Sequence, residues 1–191
     1  TVQPDPELRL LYFLQRDVLG DDPFTDPIEP SVPFALGLIV KNTGLGAANS
    51  FHITSAQPKV VENQKGLLID FQLIGTRVGT NPVTPSLTID LGNIPAGKSQ
   101  VATFLLTCSL QGKFIEYNAS FQHLDGLGDP RLSPIDSVEI HQMVKMVRAD
   151  RPQDDKPSDC LVNADPDNES LPDTLYLSNG CFAPVYLGTN P

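Results

Sequence analysis

The sequence predicts an all-β fold, arranged as an antiparallel β-sandwich. Several short segments alternate apolar and polar residues, the period-two pattern of a strand with one buried and one solvated face. The chain carries 18 prolines and 14 glycines spread along its length, which indicates turns rather than helices between these segments. The regular spacing of the segments is typical of two sheets packed face to face.

Eight segments have the composition and spacing of strands. They lie at roughly 7–18, 33–42, 48–56, 67–78, 86–92, 100–109, 113–123 and 136–148. Sequences rich in Gly, Pro, Asn and Asp separate them, and these residues favour turns because Gly reaches positive φ without steric cost and Pro presets φ. The turns are predicted at 42–44, 79–82, 95–97, 111–112 and 125–130.

Three of these segments carry the most informative patterns. The second alternates most clearly, with Phe34, Leu36, Leu38 and Val40 in one phase and Lys41 in the other. The first is apolar in both phases, so we expect a strand that is buried on both faces or meets a partner. The last, 136–148, could end in a helical turn, but its alternation favours a final strand with a bulge.

The chain divides into three parts by composition. Residues 1–148 hold the predicted sandwich, and residues 149–174 are rich in Asp, Pro, Asn and Ser, which predicts an acidic linker. Apolar residues return in 175–191, a stretch too short for a core of its own. It forms a predicted assembly tail, whose apolar members are Leu175, Tyr176, Leu177, Phe182, Val185, Tyr186 and Leu187.

Two fates of this tail remain open. It could add as a strand to the sheet edge of another copy and so build a head-to-tail assembly or filament. It could instead fold back on its own domain, which the pattern favours slightly.

The charge balance argues against two classes of partner. Lys and Arg number 13 against 23 Asp and Glu, for a net charge of -10, and a chain this acidic is repelled by nucleic acid and by anionic lipid. No apolar run approaches the ~20 residues of a membrane span. We therefore expect neither nucleic-acid binding nor membrane insertion. Because the chain begins at Thr1, we expect it to be a mature or excised segment of a longer secreted protein.

The three cysteines and two glycosylation sequons are read on the expectation that the protein is secreted. Cys108 follows the buried phase of its strand, which predicts a buried free thiol. Cys160 and Cys181 bracket the polar region, and a disulfide between them would stabilise the fold by ~3 kcal/mol; the alternative is two free thiols. Asn118 and Asn168 begin Asn-x-Ser sequons in positions predicted to be exposed, so both are candidates for glycosylation.

No catalytic or metal site is predicted. The three histidines, His52, His123 and His141, are expected at separate surface or rim positions, and no nucleophile, zinc or phosphate-loop motif occurs. Several loops are rich in Asp, but none matches the EF-hand pattern. We expect these loops to be solvated, which leaves Ca²⁺ as the one cofactor still open.

Two stretches resemble a known family. Residues 40–48 have the pattern Val-x-Asn-x-Gly-x-x-x-Ala, and residues 91–99 have Leu-Gly-x-Ile-x-x-Gly-x-Ser, followed by an alternating strand. Together they resemble the cell-adhesion-related (CARDB-type) repeats of surface proteins, over roughly residues 33–147. The resemblance implies an immunoglobulin-like sandwich that serves as a non-catalytic extracellular module. Residues 149–191 depart from the pattern entirely.

The function expected from these observations is structural. A glycosylated extracellular module would act through protein–protein contacts with other copies of itself or with neighbouring surface domains. A carbohydrate-binding module is one alternative, although the chain has no Trp and only 4 Tyr; it would gain if Tyr176 and Tyr186 proved exposed and coplanar. A spacer domain of a larger secreted enzyme is the other alternative.

Overall fold

The computed structural model describes residues 4–53, 70–113, 134–149, 157–165, 171–186 and 188. Within these ranges the chain is all-β, as predicted, and contains no helix, so none that is long and apolar enough to cross a membrane. The described strands are β1 (Leu8–Gln15), β2 (Asp17–Val18), β3 (Phe34–Asn42), β4 (Ala48–Ile53), β5 (Phe71–Val78), β6 (Asn81–Val83), β7 (Ile89–Ile94), β8 (Ser99–Cys108), β9 (Gly112–Lys113), β10 (Ile135–Val147), β11 (Asp159–Asn163), β12 (Thr174–Tyr176) and β13 (Phe182–Pro184).

Nine strands form one mixed sheet in the order β13-β12-β11-β10-β1-β3-β8-β5-β6. Strands β2 and β9 form a separate antiparallel pair, as do β4 and β7. Within the large sheet, β1 and β10 run parallel, from Leu8 opposite Ile135 to Gln15 opposite Met143. The expectation of a purely antiparallel arrangement is therefore wrong. Parallel neighbours need a long connection rather than a hairpin, so turn signals between successive segments do not reveal this pair.

The main hydrophobic core lies between one face of the sheet and the β4–β7 pair. The predicted inward phase of β3 is confirmed, because Phe34, Leu36, Leu38 and Val40 are all buried in it. Residues of β4 and β7 complete the same cluster, namely Ala48, Ile53, Ile89, Leu91 and Ile94. Burial of each large aliphatic side chain contributes about 1.5–3 kcal/mol to stability, so this cluster is the main source of stability in the described fold.

A second hydrophobic core lies on the opposite face of the sheet. It contains Leu11 and Phe13 of β1, Ile39 of β3 and Val101 of β8, and it is closed by residues from later in the chain, Met143, Cys160 and Val162. The prediction that the first strand is buried on both faces is thereby confirmed. The side chains that cover this second face belong to β10, β11 and β12.

The second half of β10 brings the covering strands into place. Pairing between β10 and β11 shifts register between Met143 and Lys145, which confirms the bulge predicted in 136–148; bulges bend a strand and increase its twist. Beyond the bulge, Met146 packs against the second core, and its Sδ lies 3.7 Å from the hydroxyl of Thr103 on β8. The end of β10 therefore crosses over β8.

Two strands were not predicted: β6, which lies within and just after the turn expected at 79–82, and β11. Part of the expected linker 149–174 forms β11, which pairs with β10 on one side and β12 on the other. Its Cys160 and Val162 are fully buried. The apolar stretch of β11 is short and is flanked by Asp159 and Asn163, so the composition of this strand resembles that of a solvated loop and does not predict a strand.

Asn42, in the family-like motif of residues 40–48, ties three parts of the chain together. Its side chain is completely buried. The amide nitrogen donates to the carbonyls of Gly46 (2.7 Å) and Ile94 (2.8 Å), and the amide oxygen accepts from the N–H groups of Gly44 (3.0 Å) and Glu7 (3.3 Å). The full hydrogen-bonding capacity of one amide thus joins the β3–β4 turn, the end of β7 and the approach to β1.

The motif glycines let the N-terminal segment approach this turn. A Cβ added at Gly46 would lie only 1.8 Å from the carbonyl oxygen of Pro4, and one at Gly44 only 2.3 Å from the N–H nitrogen of Glu7. Any side chain at either position would push the N-terminal segment off the turn.

Candidate functional site: the C-terminal segment and its aromatic rim

Strands β11, β12 and β13 form a C-terminal segment that folds back on its own domain. Asp159 fastens it, because its buried carboxylate accepts hydrogen bonds from the N–H groups of Ala149 and Ser178, each at 2.8 Å. Ser99 at the start of β8 donates its hydroxyl to the carbonyl of Ser178 (2.7 Å). Hydrogen bonds to a charged group are the stronger class, so Asp159 ties the start of the segment to the end of β10 and to the connection between β12 and β13.

A second carboxylate joins the end of β11 to the start of β12. Asp173 accepts hydrogen bonds from the N–H groups of Ala164 (3.0 Å) and Asp165 (2.9 Å). Partial burial raises the pKa of this carboxyl, but the backbone hydrogen bonds outweigh it, and the pKa of Asp173 is lowered overall. The charged form is therefore the one that binds the N–H groups of Ala164 and Asp165.

Four rings form a row that joins the segment to the body of the domain, here called the aromatic rim. Phe13 of β1 stacks on His141 of β10, with ring centroids 5.3 Å apart, and Tyr176 of β12 lies 4.7 Å from His141 and 5.2 Å from Phe13. Phe182 of β13 continues the row, 5.7 Å from Tyr176. The row runs from the buried Phe13 to the exposed Phe182, and ring pairs at these separations attract one another.

Charged groups lie beside the rim. Arg9 of β1 forms an ion pair with Glu139 of β10, and the other carboxylate oxygen of Glu139 lies 3.5 Å from Nε2 of His141. That distance is too long for a good hydrogen bond, and the buried Nε2 has no hydrogen-bond partner among the described residues. Burial raises the pKa of Tyr176, and the Glu139 charge adds to this effect.

His141 makes the rim sensitive to acid. Burial lowers its pKa below the ordinary value of 6.5, and the nearby Glu139 only partly offsets this effect. A histidine with a lowered folded-state pKa binds protons more readily when unfolded, so its contribution is present above pH 6.5 and is lost as the pH falls through the folded pKa.

We therefore expect the unfolding midpoint in urea to fall between pH 7 and pH 5 more steeply in the native chain than in His141→Phe. Phenylalanine keeps a stacked ring and removes the titration. As a control, His52→Phe replaces an exposed histidine that lies outside the aromatic rim. Equal slopes for the native chain and His141→Phe would refute this role of His141.

The predicted disulfide is absent, and all three cysteines are free. Cys160 lies opposite Tyr176, and Tyr176 lies opposite Phe182, the neighbour of Cys181. Two strand spacings of about 5 Å each separate the two cysteines, whereas a disulfide needs Cα atoms within about 7 Å.

The prediction of a buried Cys108 thiol is confirmed, and burial raises the pKa of Cys108 and of Cys160.

Both outer edges of the nine-stranded sheet are poorly suited to strand addition. Each is a three-residue strand that contains a proline, Pro82 in β6 and Pro184 in β13. On the inner side of β13, the N–H of Val185 donates to the carbonyl of Asp173, and the carbonyl of Cys181 accepts from the N–H of Leu177. Because backbone groups alternate between the two sides of a strand, the nitrogen of Pro184 faces the free edge, and proline has no N–H to donate there. Short edge strands with an outward proline resist pairing with another chain.

Several other predicted site residues lie apart or outside the described residues. Asn118, Asn168, His123 and Leu187 fall outside the described ranges. His52 and Asp90 are exposed neighbours with 3.9 Å between Nδ1 and Oδ1. In the acidic loop after β2, the side chain of Asp21 accepts a hydrogen bond from the N–H of Glu29 (2.9 Å), and the side chain of Glu29 accepts one from the N–H of Asp22 (3.1 Å). The described residues contain no group of three or more His, Cys, Asp or Glu placed to hold a metal ion.

Sequence patterns missed two of the residues that build this site. His141 was expected to point outward, and Asp159 was assigned to a linker. The alternation of β10 does place His141 opposite the main core, but the second core covers that face. The signal that could have revealed the cover is β1, whose two apolar phases require a neighbour on each face. Comparisons with protein-family models, curated proteins and solved structures found no match to this chain.

Proposed function

We propose that the chain is a non-catalytic structural module of an extracellular surface protein, with an immunoglobulin-like sandwich of the CARDB type. The strand order β1-β3-β8-β5 supports the fold, because it parallels the A-B-E-D order of one immunoglobulin sheet when β4 is taken as strand C. The packing of β4 and β7 against that sheet is what a second layer requires. The parallel β1–β10 pair, strands β6 and β7, and the C-terminal segment are additions to that plan.

The exposed aromatic end of the C-terminal segment is the observation that carries the proposal of protein–protein contacts. Phe182 is 70% exposed and Tyr186 is 84% exposed. Phe182 lies on β13, which is held by Asp159 and by the ring contact of Phe182 with Tyr176, and Tyr186 follows two residues after that strand. Exposed aromatic side chains on an ordered strand lose little conformational entropy on binding, so they suit the anchoring positions of an interface.

Side chains, rather than backbone pairing, would make this contact. The outward proline of β13 removes a donor from its free edge, which weakens the proposal of terminal strand addition. The remaining proposal is a weak contact between two copies of the chain, in which Phe182 and Tyr186 of one copy pack against the surface of the other. Weak encounters of this kind bury less than about 1,200 Å² in total.

The double variant Phe182→Ser with Tyr186→Ser is expected to weaken self-association at least tenfold. Sedimentation equilibrium over a wide concentration series would measure the dissociation constant. Phe24→Ser is the matched control, because Phe24 is 71% exposed but lies in the loop before β3. Equal weakening by the control, or no self-association of the native chain at millimolar concentration, would refute this contact.

The carbohydrate-binding alternative gains no support from Tyr176. The ring of Tyr176 packs between His141 and Phe182, and the residue is half-buried. Because neighbouring rings cover it, Tyr176 does not offer an open platform beside Tyr186. Stacking of a sugar needs such a platform, and the protein–protein proposal is preferred.

A further inference from the structure

An exposed thiol and a lysine amine meet where the C-terminal segment reaches back to the body of the domain. Nζ of Lys41, on β3, lies 4.0 Å from Sγ of Cys181 and donates a hydrogen bond to the carbonyl of Asn179 (3.1 Å). The two residues are 140 positions apart in the chain. Solvent reaches both side chains, because Cys181 is exposed and Lys41 is only half-buried.

The turn between β12 and β13 holds the pair in place. Gly180 has a φ of +74°, and a Cβ added to it would lie 2.6 Å from Cδ of Lys41, so the lysine stem runs directly across the turn. Within the turn, the Cys181 N–H donates to the side chain of Asn179 (2.8 Å), and Leu177 donates to the Cys181 carbonyl (2.8 Å). Sulfur and nitrogen are therefore kept near each other by backbone contacts.

The three cysteines differ in their access to oxidants. Cys108 and Cys160 are buried thiols, and burial raises the pKa of each, which makes them poor nucleophiles because the thiolate is the reactive form. Cys181 is the exposed one, and susceptibility to oxidation follows exposure.

We propose that Lys41 and Cys181 form a covalent sulfenamide cross-link when the protein meets a hydroperoxide such as hydrogen peroxide. The Cys181 sulfur attacks one peroxide oxygen, the O–O bond breaks, water leaves, and the thiol becomes a sulfenic acid. The Lys41 side chain gives one proton to water, its nitrogen lone pair then attacks this sulfur, an S–N bond forms and the S–O bond breaks. The displaced hydroxide takes a proton from nitrogen and leaves as the second water.

The balance closes without another reactant. One thiol, one amine and one hydrogen peroxide give one S–N bond and two waters; the sulfur loses two electrons and the peroxide gains them. The bond would fasten the C-terminal segment to β3. This inference does not depend on the proposed function.

The test uses the full chain, reduced and then exposed to a small excess of hydrogen peroxide, followed by proteolysis and mass spectrometry. We expect one linked peptide that joins Lys41 to Cys181, lighter than the two separate peptides by two hydrogens, and released again by a thiol reductant. Lys41→Arg should abolish it, whereas Lys98→Arg, which alters an exposed neighbouring lysine, should not. Circular dichroism would confirm that each variant is folded.

Two outcomes would overturn the proposal. Peroxide could convert Cys181 to a sulfinic acid or an intermolecular disulfide while Lys41 stays unmodified. Alternatively, Lys41→Arg could leave the yield of lysine-linked Cys181 unchanged, which would show that the sulfur reacts with whichever amine is near.

Discussion

Asn42→Ala is expected to lower the free energy of unfolding by about 4 kcal/mol, because each buried polar group left without its hydrogen bond costs about 1–3 kcal/mol. The wild-type side chain is buried and makes four hydrogen bonds to backbone groups. Alanine leaves those groups without their partner and opens a cavity beneath the turn. Urea denaturation at neutral pH would measure the change.

Asn93→Ala is the matched control for this prediction. Asn93 is exposed, and its side-chain oxygen accepts a single hydrogen bond from the N–H of Ser50 (2.8 Å). Its replacement is expected to cost less than about 1 kcal/mol, as substitutions of exposed groups usually do. A loss at Asn42 no larger than that at Asn93 would mean that the turn does not depend on the buried amide.

Local patterns predicted most strands of this fold, because alternation and turn residues act over a few positions. The strand 34–42, the two-sided burial of β1 and the bulge of β10 were all expected and are confirmed. The parallel pairing of β1 with β10 could not be predicted in this way. It depends on register between strands more than a hundred residues apart, which no local pattern encodes.

The candidate site was harder to predict, because its residues come from four distant parts of the chain. Alternation shows which residues share a face of a strand but does not show whether another layer covers that face. His141 illustrates the difference: its phase was assigned correctly, yet the C-terminal segment places Tyr176 over it. The apolar residues of the tail did indicate that it packs on something, and the structure shows that its own domain provides the surface.

Removal of all residues after Arg148 is expected to have the largest effect of any change considered. The second core would lose the buried Cys160 and Val162 and the packed Tyr176. Leu11, Phe13 and Ile39, which pack against those side chains, would then be exposed to solvent. At about 1.5–3 kcal/mol for each large apolar side chain, the loss amounts to at least ~5 kcal/mol, which is comparable with the whole stability of a typical domain.

A milder variant keeps the test quantitative if the shortened chain does not fold. Val162 is completely buried in the second core, and Val162→Ala is expected to cost about 2 kcal/mol through lost burial and the cavity that remains. No measurable loss in this variant would show that the second core contributes nothing to stability.

The central claim is that the C-terminal segment folds on its own domain as an integral part of it. Urea denaturation of the intact chain and of the chain ending at Arg148, at low micromolar concentration, tests this claim most directly. The account predicts one cooperative transition for the intact chain, with a midpoint independent of protein concentration, and a much lower midpoint with a smaller slope for the shortened chain, since less surface is exposed on unfolding. An unchanged midpoint after shortening, or an intact-chain midpoint that rises with protein concentration, would contradict it.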